Sequence, residues 1–244
     1  MDKPAFLVVG GSRGIGEAVA LRAAAAGHPV VLTYSEHPAR ADKAVERIEA
    51  AGGQAMAMRC DAAREEDVDR LFSQVAEQGG LAAMVFCTGI TGPASPLAEV
   101  ETATLARVVE VNLLGAMLCA RGAVRVMAKS RGGDGGAIVF ISSRASLYGS
   151  AGEFIWYAAS KGGVDSFAIG LAKEVAGDGI RVNVVSPGPI DTEMHRPGRL
   201  EEGAKRAPMQ RAGTPDEVAA AVMFLTSDEA SYMAGANLSV AGGL

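Results

Sequence analysis

Short apolar, β-branched runs that recur between helix-length segments constrain this chain more than any other feature. Ala5–Val9, Pro29–Tyr34, Ala83–Cys87, Ala137–Ser142 and Ile180–Val185 read as buried strands, with Ala55–Cys60 a weaker one and Asn237–Val240 a final one. Between them lie helical stretches: Ala18–Ala26 closed by Gly27, Ala39–Ala51 closed by Gly52-Gly53, Glu65–Gln78, Thr102–Ser130, Tyr157–Ala176, and one from Thr214 to about Thr226. The last opens on Thr214-Pro215-Asp216-Glu217, a capping box with proline in the first turn. Strands alternating with helices in this way specify a parallel sheet wound on both faces by right-handed crossovers. No linker, repeat or low-complexity stretch divides the chain. It is expected to be one α/β domain over 1–244, a doubly wound parallel sheet of about seven strands. Only Asp191–Gln210, rich in charge, Gly and Pro, breaks the rhythm and is expected to be a substrate-binding lid.

Composition narrows the class of protein. With 49% hydrophobic and 21% charged residues over 244 positions, the chain can bury a substantial core. A formal charge of −5 argues against nucleic acid or an anionic membrane as partner. The apolar run in MDKPAFLVVGG is too short for a signal peptide, and no long uncharged apolar segment follows it. The three cysteines, Cys60, Cys87 and Cys119, form no C-x-x-C, and His28, His37 and His195 share no ligand spacing. A cytoplasmic protein without disulfides or a metal site is the expectation. His195 lies in the lid, where it can touch substrate, although a solvated loop histidine is the plainer reading. Met223 and Phe224 are read as core, and Cys119 as a small apolar residue.

Two stretches carry chemistry. Gly10-Gly11-Ser12-Arg13-Gly14-Ile15-Gly16 joins the first strand to the first helix. Glycines there let the backbone approach a pyrophosphate, and the helix amino terminus offers free N–H groups to it. This points to a dinucleotide in a Rossmann-type fold. Further on, the strand Ala137–Ser142 ends at Ser142-Ser143, and Tyr157 and Lys161 then sit four residues apart on one helix face. A phenol titrates near a pKa of about 10, and an ammonium nearby favours the phenolate. The pair is expected to lower the Tyr157 pKa and tune a general acid/base to neutral pH.

These residues together resemble the classical short-chain dehydrogenase/reductases over nearly the whole chain. G-G-S-R-G-I-G is similar to that family's T-G-x-x-x-G-I-G. Asp61 follows the third strand, and Asn112 sits in V-N-L-x-G. I-S-S precedes Y-x-A-S-K, and Pro187 to Thr192 is similar to P-G-x-x-x-T. The resemblance extends to 3-oxoacyl-carrier-protein reductase and glucose dehydrogenase-like members. It implies a tetrad of Asn112, Ser143, Tyr157 and Lys161. Tyr157 exchanges the proton, Ser143 holds the substrate oxygen, Lys161 lowers the phenol's pKa and binds the nicotinamide ribose, and Asn112 kinks its helix and anchors a water relay. Ser142 competes for the serine role, with Ser143 preferred. The cofactor is then expected against Gly10, Ser12, Arg13, Gly14, Ile15 and Gly16, then Tyr34 and Ser35, Asp61 and Ala62, and Cys87, Thr88 and Gly89. Tyr157 and Lys161 complete that site with Pro187, Gly188, Ile190 and Thr192.

Two departures from the family pattern stand out. Cys87-Thr88-Gly89 replaces the usual Asn-Ala-Gly, which puts sheet-edge stability and cofactor packing in question. The serine-to-tyrosine segment is one residue longer than in many members, which can reshape a rim at Tyr148–Trp156. Arg144, Tyr148, Glu153 and Trp156 either line that rim or pack within the loop. The second strand ends Leu32-Thr33-Tyr34-Ser35 without the aspartate that NAD-selective relatives carry, and Glu36 lies beyond that position. Arg13 can meet a 2′-phosphate, so NADP(H) is expected over NAD(H), which stays possible. The expected activity is hydride transfer between nicotinamide and a small-molecule carbonyl or secondary alcohol, with 3-oxoacyl thioesters and sugars or polyols both open. A non-catalytic dinucleotide-binding redox sensor or subunit is the alternative. Family members are mostly tetramers or dimers. Gly115, Ala116, Gly162, Gly163, Ala168 and Gly170 suit a helix-to-helix subunit contact.

Overall fold

The computed structural model describes residues 3–194 and 198–244, so His195 lies outside the described residues. Seven parallel strands form one sheet: β1 (Ala5–Val9), β2 (Val30–Tyr34), β3 (Ala55–Arg59), β4 (Leu81–Phe86), β5 (Gly136–Ile141), β6 (Ile180–Pro187) and β7 (Asn237–Val240). Their spatial order is β3-β2-β1-β4-β5-β6-β7. The chain reverses its direction of travel across the sheet between β1 and β4. An open α/β sheet has its ligand crevice there, at the carboxyl ends of the strands.

Alternation along each strand divides the core between two faces. Leu7 and Val9 point into one cluster with helices α3 (Glu65–Glu77), α5 (Gly115–Met127) and α7 (Ile155–Val175). Phe6 and Val8 point into the other, with α1 (Gly14–Ala25), α2 (Pro38–Ala50) and α9 (Pro215–Thr226). Full burial of such side chains stabilises by about 1.5–3 kcal/mol each, so a sheet covered on both faces holds its strand edges rigid. The capping box is formed: Thr214 Oγ1 accepts from the Glu217 amide at 3.2 Å, and the Glu217 carboxylate accepts from the Thr214 amide at 2.8 Å.

Three differences from the sequence reading have physical causes. The helix expected over 102–130 is α4 (Thr102–Val109), a π turn at Glu110–Leu114 and then α5. By length and hydropathy Thr102–Met127 is apolar enough to cross a bilayer. Ala116, Cys119, Ala120 and Ala123 on it are fully buried in the sheet core, and Arg107 pairs with Asp61. Within 191–210, expected to hold no element, lies α8 (Arg199–Arg206). Its sequence RLEEGAKR hides it, since acidic residues in the first turn and basic ones in the last suit the helix dipole but leave almost no apolar stripe. Lastly, Phe224 is not core: it is 38% exposed, whereas Met223 packs partly buried beneath the sheet.

Helix α5 crosses α3 closely because Gly122 has no side chain. A Cβ built there would stand 2.2 Å from the Phe72 ring, inside any tolerable contact. Gly122→Ala is expected to destabilise by about 1–3 kcal/mol through overpacking. The check is a lower urea midpoint at unchanged m-value.

Candidate active site

A cleft of about 510 Å³ opens where β1 and β4 diverge. Of the expected cofactor residues, Gly10, Ser12, Arg13, Gly14, Ile15, Gly16, Tyr34, Ser35, Asp61, Ala62, Cys87, Thr88, Gly89 and Thr192 line it. Pro187, Gly188, Ile190, Tyr157 and Lys161 do not line it. Pro187 ends β6, the Gly188 amide donates to the Val240 carbonyl at 3.0 Å, and Ile190 is 3% exposed in the core.

Close approach explains the glycine spacing. Gly10 has φ +83° and would place a Cβ 2.7 Å from Thr88 Oγ1. A Cβ on Gly16 would meet the Gly10 carbonyl oxygen at 2.1 Å. The turn therefore folds onto its own helix, and Arg13 at the helix start makes no side-chain cap. Amides at the start of α1 remain for an anion, which fits a dinucleotide pyrophosphate.

Two of the tetrad residues meet beside Gly89, whose Cβ would stand 3.3 Å from Lys161 Nζ and 3.5 Å from Asn112 Oδ1. Asn112 lies in the π turn and is fully buried. Its Oδ1 accepts from the Ile90 amide at 2.8 Å, and its Nδ2 donates to the Ile90 carbonyl at 2.9 Å and to Ser160 Oγ at 3.0 Å. The amide thus clamps the loop after β4 onto the central helix. Lys161 is 3% exposed, and its Nζ donates to the Ile141 carbonyl at 2.8 Å. The two serines have separate partners. Ser142 Oγ donates to the Lys161 carbonyl at 3.3 Å, whereas Ser143 Oγ accepts from the Ala145 amide at 3.1 Å and stands near enough to the Tyr157 hydroxyl to favour its phenolate.

Electrostatics correct one expectation. Burial pushes the Tyr157 phenol above its ordinary pKa; the Ser143 hydrogen bond and the Arg199 charge oppose that, and Tyr148 adds to it. Lys161 does not offset this: its Nζ is 5.8 Å from the ring centroid, held by the Ile141 carbonyl. Burial in turn lowers Lys161 to about 8, with Cys87 and Asp165 acting the other way. Burial outweighs the neighbouring charge for both groups.

The rim residues divide. Trp156 is buried, donates from Nε1 to the Thr91 carbonyl at 2.7 Å and stacks edge-on against Phe154, which is packing. Glu153 pairs with Arg199 of α8 at 3.1 Å, and the guanidinium lies 4.9 Å from the Phe154 ring centroid. Tyr148 is exposed, and Arg144 faces a second cavity of about 560 Å³ beside Leu244. Among the cleft residues that sequence reading did not assign to the cofactor are Arg40, Arg107 and Glu193. Arg107 Nη2 donates to Asp61 Oδ2 at 2.9 Å, a contact 46 residues apart that no local spacing announces.

Comparison with known proteins bears on the fold and the family. A family model described as enoyl-(acyl carrier protein) reductase matches residues 9–244. An uncharacterized oxidoreductase of Escherichia coli K12, YgfF, is 43% identical, covering 97% of this chain and 98% of its own. A 3-oxoacyl-[acyl-carrier-protein] reductase of Synechocystis is 36% identical, covering 98% and 95%. The crystal structure of a short chain dehydrogenase from Burkholderia cenocepacia, in complex with NADP, is 34% identical with a TM-score of 0.91, covering 98% of this chain and 96% of that one. A seven-stranded sheet in this order, a glycine turn at its switch point and matches spanning nearly all of the chain make it a member of the short-chain dehydrogenase/reductase family, an NAD(P)-dependent oxidoreductase acting on CH–OH groups.

Proposed function

We propose that the protein uses NADP(H) to interconvert a small-molecule carbonyl and its secondary alcohol, with Tyr157 as the acid/base. The observation that carries this is the placement of the partly buried Tyr157 phenol beside Ser143, with Lys161 Nζ next to Gly89 on the cleft wall. Bound nicotinamide supplies or accepts the hydride. Ser143 holds the substrate oxygen, and Tyr157 gives it a proton in reduction or removes one in oxidation. The raised phenol pKa keeps that proton on Tyr157 at neutral pH, the form that donates in reduction. Lys161 stands ready to hold the nicotinamide ribose, and Asn112 fixes the loop against which both lie. A substrate oxygen so placed suits a 3-oxoacyl thioester, as the Synechocystis relative's name supports, or a sugar or polyol. A non-catalytic sensor has no use for a serine, tyrosine and lysine in this arrangement.

NADP(H) is the preferred cofactor in this reading. No carboxylate ends β2; Glu36 lines the cleft beyond it, and Arg13 stands on the same cleft. The NADP complex of the Burkholderia relative is consistent with it.

We also place the protein in a homotetramer or homodimer. Of the small residues noted in the sequence, Gly115, Ala116, Gly163 and Ala168 pack within the subunit against its own chain. Among the described residues, none comes within 4 Å of where a Cβ on Gly162 or Gly170 would stand, and Val109, Leu114, Met117 and Ile169 are exposed on the same helices. An apolar face of this kind marks an association surface.

Tyr157→Phe keeps the ring and removes the proton. Turnover is expected to fall by at least about 10² with cofactor affinity retained, and near-native turnover would refute the mechanism. Arg13→Ala should raise KM for NADPH far more than for NADH. A native preference for NAD(H) in kcat/KM would remove the cofactor assignment. Light scattering at micromolar concentration is expected to give a dimer or tetramer and, for Ile169→Glu, a smaller species; a native monomer contradicts the assembly.

A further inference from the structure

The corner of the cleft beyond β2 holds an arrangement that Arg13 alone does not explain. Two guanidiniums converge on one carboxylate oxygen: Arg40 Nη1 lies 2.8 Å from Glu193 Oε2, and Arg13 Nη1 lies 3.6 Å from the same atom. The three come from different parts of the fold. Arg13 stands at the head of α1, Arg40 in the first turn of α2, and Glu193 on the segment that leaves β6. Thr192 beside it crosses the glycine turn, its Cγ2 3.4 Å from where a Cβ on Gly14 would stand. Tyr34 and Ser35, at the end of β2 where an adenosine ribose binds in such folds, line the same corner.

Resting on the NADP reading above, we propose that Arg40 is the second arm of a 2′-phosphate clamp, and that Glu193 is its resting occupant, displaced when NADP(H) binds. The chemistry of the exchange is simple. A carboxylate carries one negative charge, whereas a phosphate monoester carries up to two and three acceptor oxygens, matched to guanidinium donors. The pair to be broken is weak, since the side chains of Arg40 and Glu193 are 42% and 63% exposed, and exposed pairs are worth little. NAD(H), lacking the phosphate, leaves the Glu193 pair in place and is indifferent to it. The carboxylate therefore acts on NADP(H) alone, holding its affinity below what the two arginines would otherwise give. It also ties the segment after β6 to that corner until NADP(H) arrives.

The test is direct binding, by fluorescence titration of the full-length protein with NADPH and with NADH, without substrate. Arg40→Gln is expected to weaken NADPH by about tenfold, the low end for a hydrogen bond to a charged group, and to leave NADH within about twofold. Glu193→Gln is expected to tighten NADPH by about two- to fivefold, what an exposed ion pair holds, and to leave NADH unchanged. In the double variant the gain from Glu193→Gln should disappear, because its partner is gone. Equal weakening of both cofactors by Arg40→Gln, or no effect on either, overturns the clamp. Weaker NADPH binding in Glu193→Gln overturns the competition. Unchanged circular dichroism and thermal midpoint in each variant separate these outcomes from misfolding. A native protein that binds NADH more tightly than NADPH defeats the NADP reading itself, whereas a preference for NADPH that depends on Arg13 alone defeats only the role of Arg40.

Discussion

The hydrogen bond from the Lys161 ammonium to the Ile141 carbonyl fixes most of what surrounds it. A lysine 3% exposed must satisfy its charge inside the protein or lose it. The carbonyl that serves it belongs to the last residue of β5, so the bond fastens α7 to the edge of the sheet at the depth where Tyr157 and Ser143 meet. From the other side, the Ser142 hydroxyl donates to the Lys161 carbonyl. The strand end and the helix are thereby joined twice within a few residues. That joint sets the distance from Tyr157 to Ser143 more firmly than either side chain could.

Burial on this scale also decides the electrostatics. The spacing of Tyr157 and Lys161 reads as a charge pair, yet burial raises the phenol's pKa and lowers the ammonium's to about 8. Local sequence shows which groups are neighbours along a helix. It does not show that the ammonium turns to a backbone carbonyl of another element, nor how dry the site is. The strands were legible because parallel strands buried on both faces are near-continuous apolar runs, and β1, β5 and β6 fall where Ala5–Val9, Ala137–Ser142 and Ile180–Val185 were read, to within two residues. Helix α8 was not legible, because its stability comes from charge placement and from Gly203 against Pro189 rather than from an apolar stripe. Arg40, Arg107 and Glu193 were invisible for a related reason. Each looks like an ordinary solvated charge, and only the fold brings Arg40 and Arg13 onto one carboxylate.

The Cys87-Thr88-Gly89 segment shows how the structure absorbs a departure from its family's pattern. A thiol cannot donate and accept as an amide does, so the loop after β4 needs its anchorage from elsewhere. Part comes from the backbone, where the Cys87 amide donates to the Val9 carbonyl at 2.8 Å and extends the ladder between β1 and β4 by one step. The rest comes three residues later, where the Asn112 side chain bonds both the amide and the carbonyl of Ile90. A side chain that pairs with both groups of one residue acts as a short strand would, and the π turn around Asn112 presents it to the loop. Cys87 itself packs against the sheet core, and burial pushes its thiol up to about 12, so it stays protonated as a small apolar filler. Thr88 meets the glycine turn instead, its Oγ1 occupying the space that a side chain on Gly10 would need. The two loops that bound the cleft are therefore fitted to each other: Thr88 requires Gly10, and Gly89 leaves room for Lys161 and Asn112.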